Sequence, residues 1–143
     1  SDLRGRGDLP REIAEQIGED TSGAWTCFRG VRSQQIDGQP IAATDAYFHE
    51  RVDAAVERLD LGAGTLFSQV EKLAGVSIGK VTQDIQAVAA NADIAKALDL
   101  KRGSPVLRIT RCYLDLKGRI FEISVSHHPG DRFAYSMHID VDG

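Results

Sequence analysis

Arg111 sits in the strand-like run 106–114, where alternation puts Leu107, Ile109 and Tyr113 on its own side. A guanidinium on an otherwise apolar side needs a counter-anion and hydrogen-bond acceptors, because an unpaired buried charge is costly. Two sources fit. Glu122, on the other arm of the same hairpin, makes a structural ion pair, or a bound carboxylate or phosphate is held bidentate. Arg32, in an earlier hairpin, is the equivalent arginine and poses the same choice. Along 120–128, Phe121, Ile123 and Val125 line one side, and Glu122, Ser124, Ser126 and His128 the other. A side built of acid, hydroxyls and imidazole is either solvated or reserved for a polar guest. Thr65 precedes a helix whose first amides are unpaired, so it is an ordinary N-cap and equally an anion seat. Together these groups suit a small anionic molecule.

Other chemistry finds little footing. The chain carries no Gly-x-Ser-x-Gly, no P-loop and no His-Glu-x-x-His. His127 and His128 are strand neighbours that point to opposite faces, so they cannot chelate one metal, and Cys27 and Cys112 are too few for a thiolate site. Gly62-Ala-Gly64 lacks the preceding strand of a dinucleotide fingerprint. No cofactor and no metal are expected. With 17 basic against 21 acidic residues and a net charge of −4, the chain is unsuited to gripping nucleic acid by itself. No window approaches the roughly eighteen apolar residues of a membrane span, and the polar start lacks a signal-peptide core. The expectation is a cytoplasmic protein whose two cysteines are buried, reduced thiols. A 42% hydrophobic chain of 143 residues encloses a core and a ligand cleft within one domain, 1–143.

The elements that hold these residues come as a repeat. Ile13-Ala14-x-x-Ile17 returns as Ile94-Ala95-x-x-Leu98, Gly23 as Gly103, Arg32 as Arg111 and Thr44 as Ser124, at offsets of 79 to 81 residues. Each half leads with a short helix: 8–18, with Asp8 able to cap it and Pro10 in its first turn, and 91–98, with Asn91 as cap. Hairpins follow, 25–34 with 40–48 and 106–114 with 120–127. A third strand closes each half, 81–90 in the first and 133–139 in the second, with Phe133, Tyr135, Met137 and Ile139 on one side. Extra helices at 50–59 and 66–73 interrupt the first half. The economical arrangement is α+β: one six-stranded antiparallel sheet with helices against one face.

Several stretches in order carry a resemblance. They are Arg32-Ser-Gln-Gln-Ile-Asp-Gly-Gln-Pro-Ile-Ala42, Thr65-Leu-Phe67, Ile85-Gln-Ala-Val-Ala-Ala90, Gly103-Ser-Pro-Val-Leu-Arg-Ile-Thr-Arg111, the run 118–122 and Gly130-Asp-Arg-Phe-x-Tyr135. In these the chain resembles the effector-binding (UTRA) domain of GntR-type transcriptional regulators of the HutC subfamily. The resemblance implies a chorismate-lyase-like fold, a duplicated helix-and-three-strand unit. It also implies a sensor, commonly a homodimer, that binds a small metabolite and signals to an N-terminal winged helix-turn-helix; the polar start at Ser1 fits an excised sensor half. DNA would be met only through that other domain.

Family ligand contacts map position by position. The first arginine is Arg32, and the second, two residues on, is Gln34 here. The acid after the hairpin glycine is Thr44, and the Ser-Leu-Tyr phosphate turn is Thr65-Leu66-Phe67. The glutamate is kept as Glu122 with Ser124 beyond it, and the tyrosine before Gly-Asp-Arg is His128. One arginine, one carboxylate and two phenols are therefore missing, which favours a carboxylate or a weakly held phosphate over a sugar phosphate. The alternatives are a chorismate-lyase-like enzyme, with Arg32 or Arg111 holding carboxylates, and a dimerisation module with a vestigial pocket.

Overall fold

The computed structural model describes residues 2–18, 20–60 and 66–141. Strand β1 (Asp2–Gly7) leads into α1 (Arg11–Ile17), then β2 (Trp25–Ser33) and β3 (Pro40–His49). A 3-10 turn (Glu50–Val52), α2 (Asp53–Val56) and α3 (Leu66–Ala74) follow, and then β4 (Ile78–Ala89), α4 (Ala92–Leu98), β5 (Pro105–Asp115) and β6 (Ile120–Pro129). All strand pairs are antiparallel, in the order β1-β2-β3-β6-β5-β4.

That order is palindromic. Two units, β1-α1-β2-β3 and β4-α4-β5-β6, meet along β3 and β6, and Asp45 opposite Val125 marks the pseudo-two-fold axis. The expected six-stranded α+β sheet is present, and the strand expected at 81–90 is β4, but the one expected at 133–139 is not there and the strands group with the helices differently. A strand precedes each helix instead of closing each half. The sixth strand is β1, and residues 133–140 form none. β1 escapes a hydrophobicity reading because ion pairs hold it in place of an apolar side. A bulge between Leu3 and Gly5 precedes Arg6, which forks onto Asp53 at 2.8 and 2.7 Å, while Arg4 lies 3.6 Å from Asp93.

Local chemistry fixes the turns. Gly38 and Gly118 take φ of 69° and 78°, a region open to glycine at no steric cost, and Asp37 and Asp115 accept from the amides of Gln39 and of Lys117 and Arg119. Asn91 caps α4 through Ile94 N at 2.9 Å. Asp8 does not cap α1; Pro10 occupies the N-cap position and its carbonyl receives the first amides of the helix.

Helices cover both faces, not one. On the first face, Trp25, Tyr47, Cys112, Ile123 and Val125 pack against Leu9 and Ile13, while Ala43 and Val106 pack against Ile94, Ala95 and Leu98 of α4. On the second face, Phe28, Phe48 and Phe121 pack against Val52, Ala55 and Val70 from the 3-10 turn, α2 and α3. Phe48, Leu98 and Ile123 are fully buried, each contributing about 1.5–3 kcal/mol of hydrophobic stabilisation. Phe121 leaves the side of Ile123 because the register shifts beside it: Tyr113 opposes Glu122, whereas Leu114 opposes Ile120. α2 and α3 fill only one end of the second face. The other end is open.

The two cysteines are not joined to each other, Cys112 being buried and Cys27 half-buried. Both sit on the first face, but β3 and β6 lie between their strands, a span of about 14 Å against the ~7 Å a disulfide tolerates. No described helix is long and apolar enough to cross a membrane.

Candidate functional site

The open end of the second face is a hollow of about 790 Å³. Gly30 and Arg32 of β2, Ala42 and Thr44 of β3, Ser124, Ser126 and His128 of β6, and Ile109 and Arg111 of β5 border it. Phe133 and Tyr135 complete the wall from the segment after β6. Even-numbered residues of β2, β3 and the latter part of β6 share this face with odd-numbered residues of β5, as the pairs Gly30–Thr44, Thr44–Ser126 and Ser126–Ile109 require.

The arginines give the hollow its sign. Neither Arg32 nor Arg111 forms an ion pair with a described residue, and no acid is among the described lining residues. Arg111 donates from Nε to Gln83 Oε1 at 2.6 Å, and Gln83 Nε2 donates to the Tyr135 hydroxyl at 3.0 Å. A neutral amide orients the guanidinium and leaves its charge unspent. The hydroxyls of Thr44 and Ser126 are bonded to each other at 2.8 Å. His128 is buried and stacks on Phe133, ring centroids 4.0 Å apart. Burial lowers its imidazole from the ordinary value, a hydrogen bond with the Ile41 backbone opposes that, and the charges of Arg32 and Arg111 add to the lowering.

The residues expected from sequence separate into groups. Arg32, Thr44, Arg111, Ser124 and His128 come together around one hollow. Gln34 does not: it lies beyond the end of β2, exposed, its amide closing the turn onto Gln39 O at 2.8 Å. Glu122 neither pairs with Arg111 nor borders the hollow. It faces Phe48 and Tyr113 across the strands at 3% exposure, its Oε2 has no described partner, and burial pushes its carboxyl up to about 8. Thr65 lies outside the described residues; for Phe67 only the backbone, in the first turn of α3, is described.

The equivalence of Arg32 and Arg111 also changes. Gly30 opposes Thr44 as Arg111 opposes Ser124, so Arg111 corresponds to Gly30, and Arg32 lies two residues further along the same face. Both still reach the hollow. Sequence reading missed Phe133 and Tyr135 as wall residues, since their alternation matched a strand. Ser126 carried a usable signal, standing between Ser124 and His128 on the polar side of β6.

A second cleft, about 420 Å³, lies on the first face. Its arginines, Arg4, Arg6, Arg29 and Arg108, each have an acid partner: Asp93 for Arg4, Asp53 for Arg6, Asp45 and Asp93 for Arg29, and Glu12 for Arg108. Arg29 forks onto Asp45 at 2.7 and 2.8 Å and onto Asp93 at 3.0 and 2.9 Å, tying β2, β3 and α4 together. Arg108 is spent on Glu12 at 2.7 Å and Gln86 at 2.8 Å. His127, behind them, is held neutral by burial, its imidazole lowered to about 4. Charge here is consumed internally. The hollow on the second face is the one with charge to offer.

The UTRA domain family profile matches residues 4–134. The chain is 34% identical over 134 residues, 92% of its length, to the HTH-type transcriptional regulator Rv0792c of Mycobacterium tuberculosis. It spans about half or less of the curated relatives it matches, 48% and 31% of their lengths. In fold it resembles the C-terminal domain of the histidine utilization repressor from Pseudomonas syringae, with a TM-score of 0.79 at 16% identity over 98% of this chain and 97% of that one. It likewise resembles the C-terminal domain of YurK from Bacillus subtilis, with a TM-score of 0.79 at 12% identity over 96% and 95%. The named relatives are transcriptional regulators, which decides against the enzyme alternative, and the α+β sheet with its palindromic order is the chorismate-lyase-like arrangement the resemblance implied. From the profile match across all but the chain's ends, together with this fold, the chain belongs to the UTRA domain family.

Proposed function

We propose that this chain is the effector-binding domain of a GntR-type regulator of the HutC subfamily, and that its guest is a small anionic metabolite in the hollow of the second face. The observation that carries the reading is the pair Arg32 and Arg111, which border one hollow without an acid among its described lining residues. Two unspent guanidiniums beside the Thr44, Ser124 and Ser126 hydroxyls suit a carboxylate or phosphate, which accepts from both kinds of donor. The His128 ring stacked on Phe133 adds a flat wall for the uncharged part of the guest. Thr65 and Phe67 belong to the proposed site through the resemblance alone.

Binding would act on a winged helix-turn-helix carried by the same polypeptide in a cytoplasmic dimer. A tenfold change in DNA affinity requires the guest to prefer one arrangement by about 1.4 kcal/mol, which one differential charge-assisted hydrogen bond supplies. A thermal-shift panel of small organic acids and phosphorylated sugars, on the wild type and on Arg32→Ala, tests the reading. At least one anion is expected to raise the melting temperature of the wild type and to lose most of that effect on Arg32→Ala. If no anion moves the wild type, or if Arg32→Ala responds equally, the assignment fails.

A further inference from the structure

We propose that residues 130–135 are a strap over the second-face hollow, latched by Tyr135 through Gln83 to the arginine that holds the guest. The root of the strap is firm. The Gly130 amide donates to Pro105 O at 3.0 Å, and a Cβ on Gly130 would lie 2.8 Å from that same oxygen, so glycine is what lets the chain turn this close to β5. Arg132 then fastens the chain to the start of β3, donating from Nη1 to Pro40 O at 3.1 Å and to Gln39 Oε1 at 3.3 Å. From there Phe133 stacks on His128 of β6, and the Tyr135 hydroxyl accepts from Gln83 Nε2 of β4 at 3.0 Å. β5 lies between those two strands, so residues 133–135 span it, and both aromatic side chains border the hollow with Arg111.

The tip is held differently. Its anchor on β4 is one hydrogen bond between exposed side chains, a contact of small net worth, so the strap opens at this end while its root stays fixed. Gln83 makes the latch responsive to the hollow. Its carboxamide oxygen accepts from Arg111 Nε at 2.6 Å while its nitrogen donates to Tyr135. Oxygen and nitrogen sit on one planar group, so fixing the guanidinium also aims the N–H at the phenol. An anion gripped by the other donors of Arg111 takes freedom from the arginine, then from the amide, then from the strap. Linkage makes the effect reciprocal: the latched strap tightens the anion by the same factor. Gln83 and Tyr135 are positioning residues that act on the guest through Arg111.

The latch rests on the proposed anion at Arg111, and the test keeps the two apart. Backbone nitrogen-15 relaxation is measured on the wild type, Gln83→Ala and Tyr135→Phe, each with and without saturating inorganic phosphate or a simple dicarboxylate, with affinities from calorimetry. In the wild type the anion is expected to raise the order parameters of residues 133–135 from below about 0.6 to about 0.85. Both variants are expected to bind the anion a few-fold more weakly and to show no such rise; Tyr135→Phe removes only the accepting oxygen and keeps the ring. If the anion binds the wild type and the order parameters stay where they were, or rise equally in the variants, the latch is wrong although the anion site stands. If neither anion binds the wild type, the latch falls together with the site.

Discussion

Arg111 and Gln83 stand directly opposite each other on β5 and β4, and the arginine donates from Nε to the amide oxygen at 2.6 Å. The partner is neutral, so the contact fixes direction without cancelling charge. It follows that the arginine, not the amide, dominates affinity. Isothermal titration with inorganic phosphate and a simple dicarboxylate is expected to show Arg32→Ala and Arg111→Ala each weakening binding about 10- to 100-fold, the worth of a charged hydrogen bond. Gln83→Ala, which removes only the orienting contact, is expected to weaken it a few-fold at most.

Glu122 makes a pH prediction whose sign can be worked out. Its carboxyl moves from an ordinary value of 4.5 to about 8 through burial. Below 4.5 the folded and unfolded chains both hold the proton; between 4.5 and 8 only the folded chain keeps it. Stability contributed at this site therefore falls as pH rises through that window. Glu122→Gln abolishes the titration. In melting curves its Tm is expected to exceed that of the wild type at pH 8 and to converge on it toward pH 4.5, each kcal/mol appearing as about 2–4 °C. A gap that stays constant with pH contradicts the assignment.

Arg29 is an architectural residue. Arg29→Met strands Asp45, a buried carboxylate, and frees α4 at Asp93. Leaving one partner of such a pair uncompensated costs about 3–5 kcal/mol. Urea denaturation is expected to show that loss. Phosphate affinity, read on the folded fraction, is expected to be unchanged, because the network lies on the face opposite the hollow.

Much of this was legible in the sequence, and each failure has a physical cause. The β5–β6 hairpin could be read residue by residue, since a turn glycine and strict alternation set its register; Arg111, Ser124 and His128 accordingly share one face. A bulge defeats such parity, and Phe121 changed sides for that reason. β1 was invisible because ion pairs and backbone bonds, not apolar side chains, fasten Leu3-Arg4-Gly5-Arg6 to β2. The segment 133–139 showed the opposite failing. Its alternation is that of a strand, yet pairing needs a neighbour, which alternation alone does not supply. Glu122 looked like a partner for Arg111 because they stand on adjacent strands. The register instead sets Arg111 against Ser124 and Glu122 against Tyr113.

Amide chemical-shift mapping during a titration with inorganic phosphate and a dicarboxylate puts the anion-seeking hollow to its most direct trial. Shifts are expected to cluster at Gly30, Arg32, Thr44, Arg111, Ser124 and Ser126, saturate with the added anion and need about 10- to 100-fold more of it in Arg32→Ala. Saturable shifts confined to Cys27, Asp45 and Asp93 on the other face, or no saturable shift at any accessible concentration, would contradict it.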